Sequence, residues 1–154
     1  MPKPKPIEWT RGRFTISTDS RRLDRERIHD FLIDSYWAPG IPRETVDRSI
    51  DHALCFGVYE GQALIGFARV VTDRATFAYL ADVFVLESHR GRGLAVWLME
   101  AIRAHPDLQG LRRWILMTRD AHGLYEKFGF RTMENPSRCM EILDRTVYAR
   151  GRPE

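Results

Sequence analysis

Apolar and polar side chains alternate over Phe14-Thr15-Ile16-Ser17-Thr18, the spacing of a strand with one buried face. Over residues 24–35 the period lengthens, and Ile28, Phe31, Leu32 and Ser35 fall on one side of a helix. Tyr36-Trp37-Ala38-Pro39-Gly40-Ile41-Pro42 breaks it. A second helix over about residues 43–53 turns Val46 and Ile50 inward, and the apolar runs 55–59 and 63–71 flank Glu60-Gly61-Gln62 as a hairpin. Tyr79-Leu80-Ala81-Asp82-Val83-Phe84-Val85 is the next strand. The helix after it carries Leu94, Trp97, Leu98, Ala101 and Ile102 at i, i+3, i+4, i+7, i+8 and ends near His105-Pro106. Trp114-Ile115-Leu116-Met117 is a further strand, and Ala121, Leu124, Tyr125 and Phe128 share one face of a last helix closed by Gly129. Residues 133–143, interrupted by Asn135-Pro136-Ser137, read as closing strands, and residues 1–12 and 145–154 as loose ends of a single domain spanning 1–154.

Composition narrows the class. With 154 residues, 44% hydrophobic and 29% charged, the chain has enough apolar surface for one core and is not of disordered type. The net charge of +3 comes from scattered arginines, whereas a nucleic-acid binder wants a clustered basic face with interleaved aromatics. Met1-Pro2-Lys3-Pro4-Lys5-Pro6 has no apolar stretch behind it, and no run approaches the roughly 18 apolar residues of a spanning helix, so a cytoplasmic protein is expected. Cys55 and Cys139 lie far apart without metal-ligand spacing, which points to small packing side chains and no metal.

The chemistry concentrates where the strand 79–85 runs into Arg90-Gly91-Arg92-Gly93-Leu94-Ala95 and then into a helix. Glycines let backbone N–H groups approach a ligand closely, and the helix dipole presents positive charge to the same point, so the guest is an anion such as a pyrophosphate. A dinucleotide turn would need a third glycine where Val96 stands, and the Gly-Lys-Ser/Thr of a P-loop is absent. What remains, Arg90-x-x-Gly93-x-Ala95 after a strand, resembles the acetyl-coenzyme A signature of the GNAT superfamily of N-acetyltransferases. Thirty residues on, Ala121-His122-Gly123-Leu124-Tyr125-Glu126-Lys127-Phe128-Gly129-Phe130 is similar to that family's Ala-x-x-Leu-Tyr-x-Lys-x-Gly-Phe segment.

The resemblance implies an α/β (α+β) fold, a mixed, mostly antiparallel sheet of about six to seven strands with helices on both faces, splayed near Val85 and Trp114. It implies acetyl-CoA as co-substrate, bound by Val83, Phe84 and Val85, by residues Arg90, Gly91, Arg92, Gly93, Leu94 and Ala95, and by Thr118, which stands where the family often has asparagine. Tyr125 is then the acid that protonates the departing thiolate, and backbone N–H near Val85 faces the oxygen that gains charge. Packing alone also accounts for a tyrosine there. Asp82 is the first candidate for a general base, with a purely structural carboxylate as the alternative; Glu87, at a position often proline in the family, ranks below it. His122, one turn before Tyr125, shares its helical face and can pass a proton through water. Tyr36 and Trp37 fall where the family places its acceptor loop, one of them lining the amine site or packing in the core. The expected partner is a small-molecule or peptide amine, a homodimer is left open, and the runner-up function is a non-catalytic acyl-CoA sensor on the same fold.

Overall fold

The computed structural model describes residues 4–149. Its strands are β1 (Glu8–Arg11), β2 (Phe14–Ser17), β3 (Leu54–Glu60), β4 (Ala63–Thr72), β5 (Phe77–Val85) and β6 (Arg113–Leu116). They form one sheet in sequential order, antiparallel throughout except for the parallel β5–β6 pair. Helices α1 (Arg25–Leu32) and α2 (Arg43–Asp51) precede β3, α3 (Leu94–Ala104) joins β5 to β6, and α4 (His122–Glu126) follows β6.

Local chemistry explains the boundaries. Asp24 accepts a hydrogen bond from the Arg27 amide and so caps α1, and Gly61, at φ +60°, makes the β3–β4 turn. The central strands are apolar on both sides because each face is covered. Ile65, Val70, Leu80 and Phe56 belong to one core with Trp97, Leu98 and Ile102 of α3. Leu64, Phe67 and Phe84 belong to a second core with Ile28 and Leu32 of α1 and Val46 and Ile50 of α2. Phe56 and Phe67 are fully buried, one in each core, and truncating a ring so placed costs about 3–5 kcal/mol.

Two parts differ from the sequence expectation. The start of the chain is not loose up to residue 12: β1 pairs with β2 from Glu8↔Ser17 to Arg11↔Phe14, and Trp9 stacks on Phe56 at 6.2 Å. Burial of that one ring outweighs the three polar neighbours that hid the strand. The closing strands over residues 133–143 are not formed. Pro136–Arg138 is a 3-10 turn, and no strand follows β6 among the described residues. Proline there removes an amide donor and fixes φ, which interrupts a strand ladder at that point.

Candidate active site

The β5–β6 pairing begins at Phe77↔Arg113 and stops at Leu80↔Leu116. Beyond it β5 runs on to Val85 while β6 has ended, so the sheet opens into a wedge. A bulge lies at the start of the wedge: Phe67 pairs with Phe84 and Arg69 with Ala81, leaving Ala68 opposite both Asp82 and Val83. Asp82 takes the extra turn with φ +55°, a left-handed conformation that aspartate tolerates better than most side chains. The bulge also shifts the alternation. Leu80 faces the α3 core, and two pairs later Phe84 faces the α1–α2 core.

At the far end of β5, Gly91 and Gly93 hold φ +79° and +72°, and Gly93 is the residue before the first turn of α3. An added Cβ at either glycine would meet nothing within 4 Å, and the first turn of α3 carries no acidic side chain. Both observations fit a pyrophosphate against this loop. Arg90 Nε donates to the Val85 carbonyl at 3.1 Å and ties the loop to the strand. Leu94 is buried in the α3 core, so only its backbone is available to a ligand. Arg92 is exposed.

One cleft in the wedge is lined by Val83, Phe84 and Val85, by Arg90 and Ala95, by Leu124 and Tyr125, and by Tyr36 and Trp37. Neither of the last two is in the core: they are 45% and 40% exposed. Serine capping shapes their loop, with Ser35 Oγ donating to the Leu32 carbonyl and accepting from the Ala38 amide. Each aromatic is then laced to one lip of the wedge. Tyr36 accepts from the Arg119 amide at 3.1 Å and lies under the Arg119 guanidinium at 4.0 Å. Trp37 Nε1 donates to Asp82 Oδ1 at 2.9 Å, and Arg69 Nε donates to Asp82 Oδ2 at 2.8 Å. Both carboxylate oxygens of Asp82 are therefore engaged, one of them by a cation, an arrangement suited to holding Trp37 in place.

Tyr125 is buried, and burial pushes its phenol up to about 12, with Tyr36 adding to the effect. The group thus keeps its proton throughout the neutral range. Three expected contributors lie elsewhere. Thr118 lines the groove on the opposite side of β6, where its hydroxyl accepts from the Ala121 amide. His122 lines that same groove and not the cleft, because α4 is a single short turn whose two sides face different openings. Glu87 sits in an exposed 3-10 turn. The residues the apolar pattern did not reveal are Asp30 and Asp34, which line the cleft together with Phe31. Their signal was the i, i+4 spacing of two carboxylates, Asp30 in the last turn of α1 and Asp34 in the turn that follows it. Burial raises the Cys55 thiol to about 12, which suits a packing side chain.

A family model described as Acetyltransferase (GNAT) family matches residues 18–130. A protein of Gibberella zeae named as a candidate acetyltransferase is 31% identical over 146 residues, covering 80% of this chain and 81% of that one. The crystal structure of a GNAT-family candidate from Xanthomonas campestris pv. campestris is 51% identical with a TM-score of 0.87, covering 89% of this chain and 97% of that one. A structure from Clostridium acetobutylicum, crystallised with acetyl-CoA, shares the fold at 15% identity with a TM-score of 0.64, covering 84% and 94%.

Proposed function

Since the chain belongs to the GNAT family of acetyltransferases, we propose that it moves the acetyl group of acetyl-CoA directly to a primary amine bound in the wedge between β5 and β6. The observation that carries this reading is that a single cleft brings together the end of the glycine loop, Tyr125, and the aromatic pair Tyr36 and Trp37. Acetyl-CoA, when bound, supplies an activated thioester carbonyl and a thiol leaving group. Arg90, Gly91, Arg92 and Gly93 would hold its phosphates, with the amide of Leu94 and the small side chain of Ala95 alongside, and the edge Val83, Phe84 and Val85 would run beside the pantetheine.

The acceptor enters as an ammonium of pKa about 10, only about one part in a thousand neutral at pH 7. It gives up two protons in all, one ending on the thiol and one in solvent. Asp30 and Asp34 supply negative charge on the acceptor side and favour a cationic amine. With Asp82 engaged by Arg69 and Trp37, the first proton leaves to water. Tyr125 donates a hydrogen bond to the sulfur. Because its phenol lies near 12 and a thiol near about 8.5, complete transfer from it is uphill, and it steadies the leaving group without surrendering its own proton.

The direct test is a panel of primary amines with acetyl-CoA, read by release of free thiol. Turnover is expected, fastest with amines that carry a second positive charge. Tight acetyl-CoA binding with no thiol release from any amine would favour the sensor instead. In the same assay Trp37→Ala should raise the acceptor's KM by about tenfold and leave acetyl-CoA affinity within about twofold. If both affinities fall together with the melting temperature, Trp37 supports the fold and not the acceptor.

A further inference from the structure

Arg69 and Asp82 form an ion pair withdrawn from solvent, their side chains 19% and 10% exposed. Neither lines the cleft, which takes in Val83, Phe84 and Val85 of the same strand but passes Asp82 by. Burying two charges is costly, and a bulge at φ +55° could be turned by glycine with no charge at all. The contact that the pair makes towards the cleft is the hydrogen bond from Trp37 Nε1 to Asp82 Oδ1.

Trp37 needs such a contact. Its ring is 40% exposed, so several rotamers are open to it. Tyr36 meets the ring edge-on at 5.0 Å and Phe31 lies at 6.2 Å, and Tyr36 is itself held from the other lip of the wedge by the Arg119 amide. These limit the ring from the side of α1 and of the loop after β6. Asp82 holds the end that reaches β5. An indole N–H only donates and has one fixed direction, so its acceptor decides where the ring lies. Arg69 fixes that acceptor in turn: with Oδ2 taken by the guanidinium, Oδ1 is left for the indole.

We propose that Asp82 and Arg69 are positioning residues for the acceptor, acting through Trp37, whose indole they fix as the face against which the amine is captured. The proposal rests on the reading of Trp37 as an acceptor-site residue. Loss of the pair weakens capture of the amine and leaves the chemistry at the thioester largely intact.

Asp82→Gly keeps a residue at ease with φ +55° and removes the acceptor. With 1,4-diaminobutane as the amine and saturating acetyl-CoA, its KM should rise by about tenfold while kcat stays within about threefold. Trp37→Phe, which lacks the N–H, should raise KM as well, and Asp82→Gly should add nothing further in that background. The indole signal of Trp37 in a proton–nitrogen spectrum, identified by its loss in Trp37→Phe, should shift in both Asp82→Gly and Arg69→Met. An unmoved indole signal or additive KM effects overturn the proposal. So does a loss of kcat of about a hundredfold in Asp82→Gly that persists beside Trp37→Phe, which would make Asp82 the base. A joint fall of both affinities with the melting temperature makes the pair a support of the fold and overturns it equally. Wild-type protein that releases no thiol with 1,4-diaminobutane fails the cationic-acceptor reading itself, and this proposal with it, before any variant is made.

Discussion

Gly93→Val should lower acetyl-CoA affinity by at least about tenfold in a protein that still folds. Gly93 holds φ +72° directly before α3, a conformation that costs an L-residue roughly 1–2 kcal/mol and a β-branched one more. The valine Cβ meets no neighbour within 4 Å, so the fold has no clash to relieve and the strain stays local. Either the loop relaxes, turning the N–H groups at the helix start away from the phosphates, or it keeps its shape at a cost of a few degrees in melting temperature and the valine side chain stands between the backbone and the phosphates. Calorimetry with acetyl-CoA beside a thermal melt separates these. Unchanged affinity in a folded variant would remove the glycine loop from cofactor binding.

The second large effect is expected from Tyr125→Phe, with kcat at saturating acetyl-CoA reduced by about ten- to a thousandfold and cofactor affinity little changed. The ring is retained, including its edge-on contact with Phe130 at 6.0 Å, and only the hydroxyl is lost. A thiolate of pKa about 8.5 leaves tolerably unaided, which is why the loss is partial. The same hydroxyl sets the pH profile. The needed form is the protonated phenol, present at every pH below about 12. Wild-type kcat/KM should therefore rise with pH as the amine deprotonates and show no descending limb near 10. Stability follows the same group: its folded value lies above the 10.0 of an ordinary tyrosine, so its contribution is complete below that pH and is lost as pH climbs towards about 12. An unchanged kcat in the variant would take Tyr125 out of the mechanism.

The parts of the molecule that were legible in the sequence are those fixed by short-range spacing. Helix α3 shows in the sequence because Leu94, Trp97, Leu98, Ala101 and Ile102 all enter the core, and the glycine loop because positive φ at Gly91 and Gly93 leaves a residue-type signature. Asp82 was not legible in this way. Its bulge is written in the pairing of β4 with β5, and its partners lie 13 and 45 residues away, so alternation alone favours a free carboxylate where the fold makes a bracket. Met140 and Ile142 were the converse case. Their local pattern is that of a strand, but a strand also needs a neighbour, and among the described residues none pairs with this segment.

The bracket at Asp82 has an evolutionary consequence. Three separate demands meet at this position: a residue content with φ +55°, a carboxylate for Arg69, and an acceptor for the Trp37 indole. Asparagine meets the first and third, and glycine only the first. The position is consequently free to drift only where its two partners drift with it. Relatives that recognise a different acceptor through a recast 36–37 segment should exchange residues 37, 69 and 82 as a set, and the triplet Trp, Arg, Asp should mark the subgroup that shares this protein's acceptor.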